Sequence, residues 1–289
     1  MSKERQGVVD PRGFESLAEI YHRARPGYPE AVLDVLLPRV GVGPGDAVAE
    51  IGAGTGRLTE VLARRGLSVT ALEPLQAMQK QAPCIEGVCW SAGTFEKTGL
   101  ESRSQKWVVS AQAFHWADPK LALPEIHRIL QPQGWLSVLW NVADVGSETL
   151  LRKAKGILKN HVPVFRFSRR ERAWRRFASK VYGNLPDPLQ GLVTRGVTRL
   201  GVPDRISRGV LLRSTGEFHC ARYHEIHHHH EVDRDTFLDL WRSRLYLQTV
   251  AGGQALDDFL HELSDELDRQ EIRSVKMPYV CVVWSARAR

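Results

Sequence analysis

Gly52, Gly54 and Gly56 alternate with single residues directly after the short apolar run Asp46-Ala-Val-Ala-Glu-Ile51, and Leu58, Val61 and Leu62 then open a helical pattern. Glycine accepts a positive φ and lets a ligand lie against bare main chain. The free N–H groups at a helix start favour polar or negative ligand groups. Glu50 through Gly56, including Ala53, therefore reads as the floor of a nucleotide-type site at the carboxyl end of a parallel strand, where open α/β sheets bind ligands. The third glycine comes one residue too early for a dinucleotide fingerprint, and no phosphate-cradling P-loop sequence is present. A second acid, Glu73, followed by Pro74, ends the next strand-like run, Ser68-Val-Thr-Ala-Leu72. A carboxylate at that strand tip can accept both hydroxyls of a ribose.

Other residues have side chains suited to chemistry. His115, in Gln112-Ala-Phe-His-Trp116, titrates near neutral pH and is a candidate general base, with Tyr21 as a second catalytic candidate. The competing reading makes His115 a fixture of its loop, with Trp116 as a wall of the ligand site. Arg25 is a fork donor suited to a carboxylate. Tyr21 and Tyr28 either cover the ligand or pack a helix on the sheet. Gln112 is a positioning candidate, and Asn141 falls on the ligand side of its strand. His227 to His230 alternate on a strand, so His227 and His229 share one face and His228 and His230 the other. Adjacent same-face histidines chelate metals, but no second ligand cluster accompanies them, and no metal site is expected.

Taken in order, these motifs resemble a class I S-adenosylmethionine-dependent methyltransferase, most closely the small-molecule branch typified by trans-aconitate methyltransferase. The likeness runs from about residue 14 to residue 142, through Tyr21-His-Arg-Ala-Arg-Pro-Gly-Tyr-Pro29, the glycine loop, Gly93-Thr-Phe-Glu-Lys-Thr-Gly-Leu100, Ser110-Ala-Gln-Ala-Phe-His-Trp-Ala-Asp118 and Glu125 to Trp140. It implies that the loop and Arg25 hold the methionine and ribose parts of the cofactor and that Glu73 holds the ribose. Thr94, Phe95 and Glu96 then meet the adenine, and Ala111, Gln112, Ala113 and Trp116 lie beneath the cofactor facing the acceptor. It also implies a seven-stranded, mostly parallel Rossmann-like sheet, doubly wound, with an antiparallel last strand.

The elements that must position these residues follow from the pattern. Strands are expected near 46–51, 68–72, 87–91, 106–111 and 134–140, alternating with helices, which implies an α/β parallel sheet covered on both faces. Residues 1–12 read as a frayed tail, Phe14 to Tyr21 as a short helix, and Glu30 to Leu37 as a helix begun by Pro29. Residues 1–142 form the cofactor half, 143–222 a basic, mainly helical insertion acting as a lid, and 223–289 a return to α/β. In that last part a strand is expected at Tyr223 to Val232, helices at Asp235 to Tyr246 and Leu256 to Arg269, and a final strand at Tyr279 to Trp284.

The chain has 289 residues, 43% hydrophobic, and a formal net charge of +7. Between Arg152 and Lys180 there are eleven Lys or Arg and one acid, a net charge of +10 (11 − 1). Such a block can meet phosphate or nucleic acid. The alternative is a solvated helix face with Trp174, Phe177 and Val181 as its buried stripe. No run is long enough to span a membrane, there is no secretory h-region, and the four cysteines are scattered, so a reducing cytoplasmic setting is expected. The leading function is methyl transfer from S-adenosylmethionine to a small molecule by a monomer or homodimer. Alternatives are non-methyl use of the same cofactor, an RNA methyltransferase using the basic block, and a cofactor-binding regulator without turnover.

Overall fold

The computed structural model describes residues 10–144, 149–162, 169–199 and 208–289. Seven strands form one sheet: β1 (Ala47–Ile51), β2 (Ser68–Leu72), β3 (Val88–Ser91), β4 (Gln105–Ala111), β5 (Leu130–Ala143), β6 (Phe218–Asp233) and β7 (Ser274–Ala288). Their order is β3-β2-β1-β4-β5-β7-β6. β1 pairs parallel with both β2 and β4, and the parallel ladder continues to β3 on one side and β5 on the other. β7 runs antiparallel between β5 and β6. The strand order reverses at β1 and β4, so the crevice outside their carboxyl ends is where this fold takes a ligand.

The first five strands form where apolar runs predict them, and β5 reaches further in both directions than 134–140. Helices α1 (Ala18–Ala24), α2 (Glu30–Val40), α3 (Thr59–Arg64), α4 (Gln76–Gln79) and α5 (Pro119–Ile129) connect and cover them. The N-terminal segment begins as a 3-10 turn, Pro11–Leu17, before α1, and residues 1–9 of the expected tail lie outside the described residues. Trp107 and Trp284 are buried on the sheet. The Trp107 indole donates to Ser137 Oγ (3.0 Å), which lies 2.7 Å from Ser285 Oγ, a satisfied polar row across β4, β5 and β7.

The insertion supplies α6 (Thr149–His161), α7 (Arg169–Asn184), α8 (Asp187–Arg199) and α9 (Arg208–Leu212). Gly209 lies so close to the Trp284 ring that a Cβ would overlap it, and a Cβ on Gly183 would sit 2.7 Å from Tyr223 Cβ. These contacts seat the insertion on the sheet. The stripe Trp174, Phe177 and Val181 is not buried: the three are 59%, 59% and 46% exposed. Arg176 makes a two-pronged contact with Glu225 (2.9 and 2.7 Å), Lys180 adds a second cation at 3.1 Å, and small Gly183 lets the backbone approach β6. Those anchors set the rotation of α7 and turn its rings outward. The Arg166 position and the side chains of Arg169, Arg170, Arg172 and Arg175 in the basic block lie outside the described residues.

β6 and β7 pair as expected, but across three helices: α10 (Arg234–Arg242), α11 (Leu245–Ala251) and α12 (Gly253–Arg269). The continuous helix expected over Asp235 to Tyr246 is broken. Ser243 closes α10 through its N–H to Asp239 and its hydroxyl to Leu240 O, and Arg244 turns extended (φ −87°, ψ 97°).

Candidate active site

The glycine loop leaves β1 with Gly52, Gly54 and Gly56 all left-handed (φ 73°, 59° and 80°), a region other residues enter only with strain. Gly52 N–H and Ala53 N–H donate to Leu72 O at 2.8 and 3.0 Å, stitching the turn to the end of β2. A Cβ on Gly52 would lie 2.4 Å from Ala113 Cβ, so this glycine allows the β1 and β4 loops to touch. At Gly54 the nearest atom to such a Cβ is Met78 Cε at 3.5 Å, leaving the main chain open for a ligand.

Two acids flank the loop. Glu50 is 1% exposed, and Thr59 Oγ1 donates to its Oε2 at 2.6 Å. Burial pushes its carboxyl up to about 8 despite that bond, with a further contribution from Glu73. Glu73 accepts from Gly54 N–H (2.8 Å) and Leu75 N–H (2.9 Å), which fixes its carboxylate beside the loop. Burial raises its pKa, and the two backbone bonds oppose the shift.

The cleft above the loop gathers Tyr21, Arg25, Glu50, Gly52, Ala53, Gly54, Ala111 and Gln112. Gln112 holds a left-handed backbone (φ 60°) without being glycine. Its N–H donates to Leu139 O (2.8 Å) and its side chain to Asn141 O (2.9 Å), so β5 enforces the turn at the tip of β4. Asn141 donates to Gly27 O at 3.2 Å, which ties the N-terminal segment down, and its Oδ1 lies 3.1 Å from His228 Nε2. His228 stacks on Tyr279 (5.6 Å between centroids), another cleft residue. His227 and His229 are exposed on the opposite face.

Apart from Tyr28, the remaining sequence candidates adjoin the cleft without lining it. Phe95 is buried edge-on against Phe114 and close under Gly52. Thr94 closes a turn with Lys97, and Glu96 accepts from Asp118 N–H at 2.8 Å. Gly56 packs near Ala82 and Trp90. Trp116 is met edge-on by Phe14, which also meets Tyr21, so the N-terminal segment reaches across toward the β4 loop. His115 lies against Trp116, and loss of solvation together with the charge of Arg208 pushes its pKa down to about 4. It is a neutral and weak base at physiological pH. Tyr28 is buried in the packing between α2 and the sheet while touching the cleft.

The structure adds Arg57 and Tyr279 to the cleft. Arg57 had a signal in the sequence, standing directly after Gly56. Tyr279 had a signal only through the expected antiparallel final strand, whose pairing sets it opposite Ala143 at the ligand end of β5. Thr55 Oγ1, Arg25 Nε and Arg57 Nε, all in cleft residues, are buried without a partner. Such atoms, with the open face of Gly54 and the oriented Glu73, fit a polar nucleoside ligand. A metal-competent grouping exists elsewhere, at Asp187, His219 and Cys220, but there Asp187 is already held by Arg213 and by Cys220 N–H.

Comparison with known proteins agrees with this geometry. Residues 49–138 match the family model described as a methyltransferase domain. An uncharacterized methyltransferase of Mycobacterium tuberculosis (strain ATCC 25618 / H37Rv) is 39% identical over 132 residues, 45% of this chain and 53% of that protein. One from Schizosaccharomyces pombe is 33% identical over 138 residues, 46% of this chain and 54% of that one. The chain thus spans about half the length of the curated relatives it matches. A structure from Anaeromyxobacter dehalogenans, provisionally described as a type II methyltransferase, aligns over 91% of this chain and 97% of its own with a TM-score of 0.55 at 20% identity, which establishes a shared fold. The matched stretch, residues 49–138, is the one that builds the glycine loop and the tips of β1, β2 and β4.

Proposed function

We propose that the chain binds S-adenosylmethionine over the glycine loop and transfers its methyl group to a small-molecule acceptor in the cytoplasm. The observation that carries this reading is the loop itself: three left-handed glycines, open space at Gly54, and a Glu73 carboxylate fixed by Gly54 N–H. When bound, the cofactor supplies an activated methyl on a sulfonium, so the protein's task is chiefly alignment. Glu73 takes the ribose hydroxyls. Glu50, buried beneath the loop, favours a cation above it when ionised. Gln112 and Asn141, locked to one another, position the acceptor at the tips of β4 and β5. Tyr21 and Trp116 close the site from the N-terminal side and exclude water. His115, set against Trp116 beside the cleft, is not the base, because it is already neutral and poorly basic.

The test is product analysis. The purified chain is incubated with methyl-labelled S-adenosylmethionine and a small-molecule extract, and the nucleoside by-product is identified by mass spectrometry. S-adenosylhomocysteine with label in a small acceptor is expected. Methylthioadenosine would move the reading to transfer of the other arm of the cofactor. Absence of calorimetric binding by either nucleoside would overturn it.

A further inference from the structure

Arg23 and Arg25 lie two residues apart on the N-terminal segment, and Arg242 and Arg244 two apart at the break between α10 and α11. The first of each pair is neutralised. Arg23 and Arg242 both bind Asp239, at 2.5 and 2.9 Å. The second of each pair is not. Among the described residues no carboxylate lies within ion-pair distance of Arg25 or Arg244. Arg25 Nη2 reaches only the Ser243 carbonyl (3.2 Å), and its Nε is buried without a partner. Each guanidinium instead rests on a ring, Arg25 over Tyr21 at 5.1 Å and Arg244 over Trp241 at 4.2 Å. Loss of solvation, then the charge of Arg25, lower the Arg244 pKa to about 10. Both cations act on Tyr279, and Arg25 and Tyr279 line the same cleft as the glycine loop. Arg57, a third cation without a carboxylate partner among the described residues, lines it too.

A desolvated Arg244 with a second, half-buried cation beside it and no carboxylate partner is costly, and a bound anion would offset that cost. A planar guanidinium pair matches an oxyanion in geometry. We infer that Arg25 and Arg244, with Tyr279, form an oxyanion subsite beside the glycine-loop cleft, and that the ligand completing the site carries a carboxylate or phosphate group. This inference rests on the proposed cofactor site. Arg244 itself lies outside residues 49–138, so the family match does not bring it.

The oxyanion has two possible sources, the amino-acid end of the cofactor and an acidic acceptor. Calorimetry on the full chain separates them using S-adenosylhomocysteine, methylthioadenosine (the same nucleoside thioether without the carboxylate) and malonate added to the S-adenosylhomocysteine complex. Arg244→Met and the charge-preserving Arg244→Lys are compared with wild type. If the cofactor supplies the anion, Arg244→Met weakens S-adenosylhomocysteine roughly 30-fold or more and leaves methylthioadenosine unchanged. If the acceptor supplies it, both nucleosides bind Arg244→Met normally, and malonate binds the wild-type complex but not the variant. Arg244→Lys should recover part of whichever affinity is lost. The apo Arg244→Met protein should melt at or above the wild-type temperature, because a repelling charge has been removed. Unchanged affinity for all three probes, or a variant that melts well below wild type, overturns the subsite. Failure of methylthioadenosine to bind even the wild type would instead refute the cofactor site.

Discussion

Glu50→Gln tests how the buried carboxyl under the glycine loop is held. In the folded chain its pKa stands at about 8, against 4.5 for an unperturbed group, because it is buried with one hydroxyl donor, Thr59. A raised acid binds its proton more tightly in the native state, so the native state takes up a proton over that interval. Stability should therefore fall as pH rises from 4.5 to about 8 and level off above it. At pH 7 the gap from 4.5 is two and a half units. At about 1.36 kcal/mol per unit, keeping this group inside costs about 3 kcal/mol, an upper value because buried groups relax. Glutamine has nearly the same shape, and its carbonyl can still accept from Thr59. Urea unfolding at several pH values from 5 to 8 should show the variant gaining on wild type by up to about 3 kcal/mol at pH 7 and converging with it near pH 5. A bound cation should also expel the Glu50 proton. Calorimetry in buffers of different ionisation enthalpy should then detect proton release with sulfonium S-adenosylmethionine, less with neutral S-adenosylhomocysteine, and neither in the variant. Parallel pH profiles for the two proteins would refute the argument.

Other substitutions probe different links. Gly54→Val should abolish S-adenosylhomocysteine binding, because its side chain fills the open space over the loop and strains a left-handed backbone, with far-UV circular dichroism checking that the fold survives; retained micromolar binding would contradict the loop assignment. Glu225→Ala should destabilise the chain by about 1–3 kcal/mol and make α7 sensitive to limited proteolysis, because it removes the acceptor shared by Arg176, Lys180 and Tyr223. Burial raises the Glu225 pKa, but Arg176, Tyr223 and Lys180 outweigh it and hold the group at about 2. Its contribution should thus be complete above pH 4.5 and fade as pH falls toward 2. The His115 ring should titrate by NMR near pH 4 rather than 6.5, so stability falls as pH drops from 6.5 to about 4, a window in which only the unfolded chain takes up the proton; a midpoint at 6.5 would restore it as a candidate base.

Local pattern was enough to identify much of this protein. Glycine spacing, the acids at two strand tips and apolar runs of strand length depend on neighbours a few residues away, and they yielded the loop, Glu50, Glu73, five strands in place and the Arg25 segment. The exposed face of α7 was not legible. Trp174, Phe177 and Val181 have the spacing of a buried stripe, yet a salt bridge to β6 and a close glycine contact decide which side of the helix faces in. The break at Ser243 and Arg244 was equally hidden, because Asp239, which closes α10 there, is held by Arg23 across 216 residues of chain. The sequence by itself determined which backbone can bend left-handed at the tip of β1. Only the tertiary structure decided that Arg25, Arg57, Arg244 and Tyr279 would share its neighbourhood, since an antiparallel β7 wedged between β5 and β6 carries distant segments to the same end of the sheet, and no periodicity along a chain encodes such a meeting.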